Sequence, residues 1–174
     1  MTPVDEIAVR MGELAVSSAP GEVLLSIGLG SCIGLALVDQ RRGIAGLAHV
    51  MLPEAIGGGG GPAGKFADRA VPELVARTTA LGTSRTALRA VLVGGAQMFA
   101  ASAGGALDIG RRNEEAVRAA LAVAGIPVTT TLTGGGAGRT MRVHIGSGLV
   151  TCKQAGSQEE TIATRDAGRL RAAA

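Results

Sequence analysis

The chain has 174 residues, 47% of them apolar, which suits one domain with a properly buried core. Its net charge of +3 comes from scattered arginines, and with no Trp or Tyr and only two Phe it lacks the aromatic platforms on which single-stranded bases stack, so nucleic acid is not an expected partner. Gly, Pro or charge breaks every apolar run before the ~20 residues of a membrane span, so no membrane insertion is expected.

The opening MTPVDEIAVRMGE carries acids where a secretory signal needs a basic start, so the cytoplasm is the expected compartment. In that reducing setting Cys32 and Cys152 are not expected to form a disulfide. Ile7–Val16 reads as a first strand broken near Gly12, and Glu22–Ile27 as a second, after a turn at Ser17–Gly21. A Gly-Leu-Gly-Ser turn leads into a hairpin of Cys32–Val38 and Gly43–Met51, apolar on both faces and therefore expected to be covered on both sides. Glu54–Gly64 holds five consecutive glycines, Gly57–Gly61, and reads as a mobile loop beside the hairpin's end, either a lid over the substrate or a spacer without function.

Phe66–Leu81 has helical spacing and is closed by Gly82, with Pro72 in its first turn or at a kink. Ala87–Val93 reads as a strand, Ala96–Gly110 as loop, and Arg112–Ala124 as a helix stopped by Gly125. Val128–Leu132 is a further strand, and Thr140–Ile145 with Leu149–Lys153 a closing hairpin. Residues 154–174 form a polar tail in which Glu159–Ala172 is either a weak helix or disordered. The order predicts a single α/β domain over residues 1–153: a layered sandwich with a mixed, mainly antiparallel sheet and two main helices.

The chemistry concentrates in Ser26–Pro53, SIGLGSCIGLALVDQRRGIAGLAHVMLP. If Asp39–Arg42 is the hairpin loop, Cys32 lies directly opposite His49, near enough for thiol and imidazole to hydrogen-bond. A thiol beside a base is the minimal nucleophile pair, and Ser26 can hold the imidazole in one tautomer as the third member of a triad. The amides of Gly28 and Gly30 are candidates for holding an oxyanion. His144 and Cys152 have no such company and read as packing residues. The two cysteines and two histidines fit no zinc spacing, GLGSCIG is not a dinucleotide fingerprint, and GGGAGRT lacks the Lys-Ser/Thr of a P-loop.

The same stretch resembles the CheD family of chemoreceptor glutamine deamidases, with its GLGSC turn and AHVMLP strand. The similarity continues through KFADRAVPEL (Lys65–Leu74), GGAQMF (Gly94–Phe99), IGRRN (Ile109–Asn113) and GGGAGR (Gly134–Arg139), covering about Asp5 to Lys153. The resemblance implies an amidohydrolase with Cys32 as nucleophile and His49 as base, needing no metal or organic cofactor. Ser26 stands where the family usually has threonine. It also implies, as substrate, glutamines on the cytoplasmic helices of methyl-accepting chemoreceptors, with methylesterase action on receptor glutamyl esters as related chemistry. A regulatory role, binding a CheC-type phosphatase, is the alternative. Arg139 and the Arg112–Asn113 pair fall in family motifs and either touch substrate or anchor the fold.

Overall fold

The computed structural model describes residues 4–98 and 108–163. Among these residues ten strands divide into two five-stranded sheets, with two α-helices on the outer face of the second. The strands are β1 (Asp5–Ala8), β2 (Leu14–Ser17), β3 (Glu22–Leu29), β4 (Ile33–Asp39), β5 (Ile44–Val50), β6 (Arg89–Gly94), β7 (Val128–Thr133), β8 (Arg139–His144), β9 (Leu149–Gln154) and β10 (Glu159–Ala163). The helices are α1 (Ala67–Ala80) and α2 (Ile109–Ala124). The first sheet runs β1-β3-β8-β9-β10 and the second β2-β5-β4-β6-β7; each has one parallel pair, β1 with β3 and β6 with β7. The molecule is an α/β domain with three layers, sheet, sheet and helices.

Every residue of β4 and β5 is buried, because each face of these strands has its own core. Ala36, Val38, Ala45 and Leu47 meet Leu24, Met141, Val143 and Cys152 between the sheets. Leu35, Leu37, Ala48 and Val50 meet Ala70, Leu74, Val117 and Leu121 of the helices. This continuous two-sided burial explains why the hairpin reads as apolar on both faces.

Several boundaries differ from the sequence-based expectations. The first strand is two, β1 and β2, in different sheets, and Val9–Glu13 is the crossing between them. The helix expected at Arg112 begins at Ile109, with the Asp108 side chain accepting from the Arg111 amide as its N-cap. Much of the expected loop before it, residues 99–107, lies outside the described residues. Glu159–Ala163 is neither helix nor disordered: β10 pairs with β9 as an edge strand. Residues 164–174 of the expected tail lie outside the described residues. Pro72 is the sixth residue of α1, past its first turn, so the helix lacks the bond that an amide there would give the Asp68 carbonyl.

Candidate active site

The hairpin register differs from the expectation by two residues. Asp39 pairs with Ile44, Gly34 with His49, and Ile33 with Val50, so the loop is Gln40–Gly43 and Cys32 does not lie directly opposite His49. Asp39 decides this: its Oδ1 accepts from the amides of Arg41 (3.0 Å) and Arg42 (3.2 Å), and its Oδ2 takes the Thr83 hydroxyl, which fixes Asp39 as the last strand residue. A slip of two preserves the faces, so Cys32 and His49 remain on the same side as diagonal neighbours, at roughly 7–8 Å between Cα atoms.

Beyond Ile33 and Val50 the two strands part. The amides of Met51 and Leu52 turn to the Lys65 carbonyl, while the Cys32 carbonyl accepts from Gly95. Cys32 is thereby left at the rim of the space between the sheets, 9% exposed, whereas His49 is fully enclosed. Gly34, opposite His49, has no room for a Cβ: it would stand 2.7 Å from the Leu29 side chain and 3.0 Å from Met141 Sδ.

Ser26 comes from the first sheet, on β3, and is fully buried. Its Oγ donates to the Val9 carbonyl at 2.9 Å and stands 3.3 Å from His49 Nδ1, which is itself 3.4 Å from the same carbonyl. Val9 O can only accept, and Ser26 has given it its proton, so the hydrogen between them and the imidazole belongs to Nδ1. That leaves His49 Nε2 as a bare lone pair. It is buried and has no hydrogen-bond partner among the described residues, so thiol and imidazole are not yet joined. Burial lowers the pKa of His49, against the opposing pull of the Val9 carbonyl and the Glu13 charge. Burial also raises that of Cys32, against its own backbone amide, which lies against the sulfur. Both directions favour a resting pair of neutral thiol and neutral imidazole, not a preformed thiolate–imidazolium.

The GLGSC turn begins with a bulge: Gly28 has φ 75°, and the β3–β8 register shifts between Ser26 and Leu29. The Gly30 amide is not available to a ligand, since it donates to the Gly28 carbonyl at 3.0 Å. The amides of Ser31 and Cys32, by contrast, donate to no backbone carbonyl among the described residues. Gly94 and Gly95 back the turn so closely that a Cβ on Gly94 would stand 2.2 Å from the Cys32 carbonyl oxygen. Arg139, 7% exposed, donates from Nη1 to the Gly94 and Gly134 carbonyls, so its role here is to tie the glycine segments together.

Asn113, fully buried, donates from Nδ2 to the Ser31 carbonyl at 3.0 Å and the Met51 carbonyl at 2.8 Å. Two of these contacts are not legible in the sequence. The Val9 carbonyl is a backbone acceptor and leaves no trace in residue type. Asn113 lies in the IGRRN motif, which gave its signal but not its contact.

Cys152 packs between the sheets and is 1% exposed, and His144 lies on the other face of β8 from Met141 and Val143, away from the pair. The glycine loop is partly held: Ile56–Gly58 makes one 3₁₀ turn, and Arg69 donates to the Gly59 carbonyl. With Leu52, Pro53, Phe66, Ile109 and Arg112, Ile56 borders a cavity of about 350 Å³ just downstream of Met51. Among the described residues no group of three or more His, Cys, Asp or Glu is placed to hold a metal ion.

The arrangement is a cysteine at a rim, a buried imidazole and a hydroxyl behind it, the residue types that thiol-dependent acyl transfer uses. The family model for CheD chemotactic sensory transduction matches residues 51–154. A protein of Symbiobacterium thermophilum named "Probable chemoreceptor glutamine deamidase CheD" is 44% identical over 158 residues, 89% of this chain and 96% of its own. Proteins with the same name from Archaeoglobus fulgidus (42% identical, 85% of this chain and 92% of the relative) and Methanococcus vannielii (38%, 85% and 94%) are similar throughout. The chain belongs to the CheD family.

Proposed function

We propose that this protein is a cytoplasmic protein-glutamine deamidase acting on chemoreceptors, with Cys32 as nucleophile, His49 as general base and Ser26 as the residue that orients the imidazole. The observation that carries this reading is the state of His49: Nδ1 is occupied by Ser26 and Val9, and Nε2 is a free lone pair on the face that bears Cys32. The names of the relatives supply the substrate class.

In the reaction, Nε2 takes the thiol proton as Sγ bonds to the side-chain carbonyl carbon of glutamine. The charge that develops on the carbonyl oxygen falls to amides of the turn that donate to no backbone carbonyl among the described residues, of which Ser31 and Cys32 are the candidates. As the C–N bond breaks, the imidazolium returns its proton to the nitrogen and ammonia leaves. His49 then deprotonates a water that attacks the thioester; the sulfur departs, recovers a proton, and glutamate remains. Every proton is moved by the one imidazole, so no metal or organic cofactor enters this scheme. The cavity beside Met51, mostly apolar with Glu54 and Arg112 in its lining, suits side chains flanking the target glutamine on a receptor helix.

Mass spectrometry of a receptor cytoplasmic fragment incubated with the protein tests this. Glutamine-to-glutamate conversion is expected with wild type and with Cys152→Ala, and none with Cys32→Ala. His49→Ala should lower turnover by about 10²–10⁴-fold, the usual worth of a general base. Ser26→Ala should cost less, since it loosens the imidazole without removing it. Conversion by Cys32→Ala, or none by the wild-type protein on any receptor fragment, would overturn the reading.

A further inference from the structure

We infer that Asn113 is a positioning residue: its side-chain amide, by tying the Ser31 and Met51 carbonyls together, sets the separation of Cys32 from His49. The β4–β5 ladder ends at Ile33 and Val50, and in its register the next two pairs would be Cys32 with Met51 and Ser31 with Leu52. Those ladder bonds do not form, because Met51 and Leu52 have turned to Lys65 and Cys32 to Gly95. The carbonyls of Ser31 and Met51 are what remains at the parting of the strands, one beside the cysteine and the other two residues from the histidine.

Both accept from the single nitrogen of Asn113, at 3.0 and 2.8 Å. A side-chain amide thus replaces the ladder where the strands diverge. Two carbonyl acceptors also fix which end of the amide is nitrogen. Oδ1 therefore points away from them, and it is buried without a partner among the described residues. Leaving a buried acceptor unsatisfied is costly, so this asparagine is not a residue that packing alone selects. Its anchor is α2, whose first turn is itself pressed onto the site: a Cβ on Gly110 would stand 2.5 Å from the Gly95 carbonyl.

His49 Nε2 and the Cys32 thiol share a face and are unjoined, so their pairing is sensitive to small changes in how far the strands part. Misplacement by about 1 Å can cost on the order of 10²-fold in rate. The proposal rests on the nucleophile assignment above. Its test reads Cys32 directly and needs no receptor: the second-order rate of iodoacetamide alkylation at Cys32, resolved by peptide mass spectrometry, well below each variant's own Tm.

Asn113→Ala should slow Cys32 alkylation by about ten- to a hundredfold and lower kcat for deamidation by a similar factor, with KM near the wild-type value. Val117→Ala, one turn further along α2 in the helix–sheet core, is the control for lost stability. It should lower Tm while leaving Cys32 alkylation unchanged. If Asn113→Ala does not fold, Asn113→Asp carries the test. An ionised carboxylate cannot donate to the two carbonyls and a protonated one can donate once, so its rate relative to wild type should recover as pH falls. Wild-type alkylation in a folded Asn113→Ala variant, equal slowing in Val117→Ala, or a pH-independent ratio for Asn113→Asp would overturn the inference. Absence of deamidation with the alkylation pattern intact would count against the proposed function and leave the role of Asn113 standing.

Discussion

At the scale of the residue, the site is set by where protons rest. Burial raises the pKa of Cys32 and lowers that of His49, which favours a proton on sulfur in the free protein; in the proposed mechanism the thiolate then forms only as His49 engages it. This has a measurable consequence for pH dependence. The acid limb of kcat/KM should lie below the ordinary histidine value of about 6.5, because only neutral His49 can accept the thiol proton. Alkylation of Cys32 should keep rising beyond the ordinary thiol value of about 8.5. A plateau already reached near neutrality would indicate a preformed ion pair and contradict the neutral resting state. Cys152 should be alkylated far more slowly throughout, as it is 1% exposed and its thiol is likewise raised by burial.

At the scale of the element, the motifs that surround the hairpin are explained by close backbone approach. The Gly94-Gly95 pair ends β6 against the turn that holds Cys32, and Gly110 lets α2 start against Gly95. A side chain at position 94 would meet a main-chain oxygen at 2.2 Å, in a backbone conformation (φ 115°) that other residues rarely adopt. Gly94→Ala should therefore displace the Cys32 turn. The expected outcome is a Tm lowered by several degrees together with slowed Cys32 alkylation, a slowing that Val117→Ala does not share. Gly60→Ala is the matching control, since a Cβ there meets nothing within 4 Å. Calorimetry and alkylation on these variants check it, and a Gly94→Ala protein with wild-type Tm and reactivity would refute the close-approach account.

At the scale of the whole molecule, the site joins two sheets, so its ionisation is coupled to folding. His49 is held neutral, with its folded pKa below the unfolded value; the unfolded chain therefore binds more protons between the two, and stability must rise with pH there. Its contribution is complete above about pH 6.5 and is lost as pH falls below that. Asp39 and Glu159 add a second loss at lower pH. For Asp39, burial works against ionisation but is outweighed by the Thr83 hydroxyl and the turn amides; for Glu159 the Thr151 hydroxyl is the main cause. Cys32 and Cys152 act oppositely: their raised pKa values remove stability as pH rises past about 8.5. Urea unfolding against pH should show a plateau near neutrality with a first acid step that His49→Ala lacks. An identical acid profile in that variant would show that His49 is not the linked group.

The sequence by itself determined the local matters. Two-sided apolar runs made β4 and β5, the Gly125 stop ended α2, and the pairing parity kept Cys32 and His49 on one face even though the register was displaced by two. Parity survives such a slip because side chains alternate with a period of two. Only the tertiary structure decided the rest. Asp39 chose the register through Thr83, which lies far along the chain. β1 and β2 went to separate sheets because the Val9–Glu13 crossing binds β3 through the Val9 amide and β5 through its Gly12 amide and Glu13 carbonyl. Residues 159–163 became a strand because an open edge of β9 offered them a ladder, not because their composition favours one. The tautomer of His49 and the tie made by Asn113 both depend on backbone carbonyls, those of Val9, Ser31 and Met51. Every residue has such a carbonyl, so no pattern of side chains reveals which ones will be brought to the site.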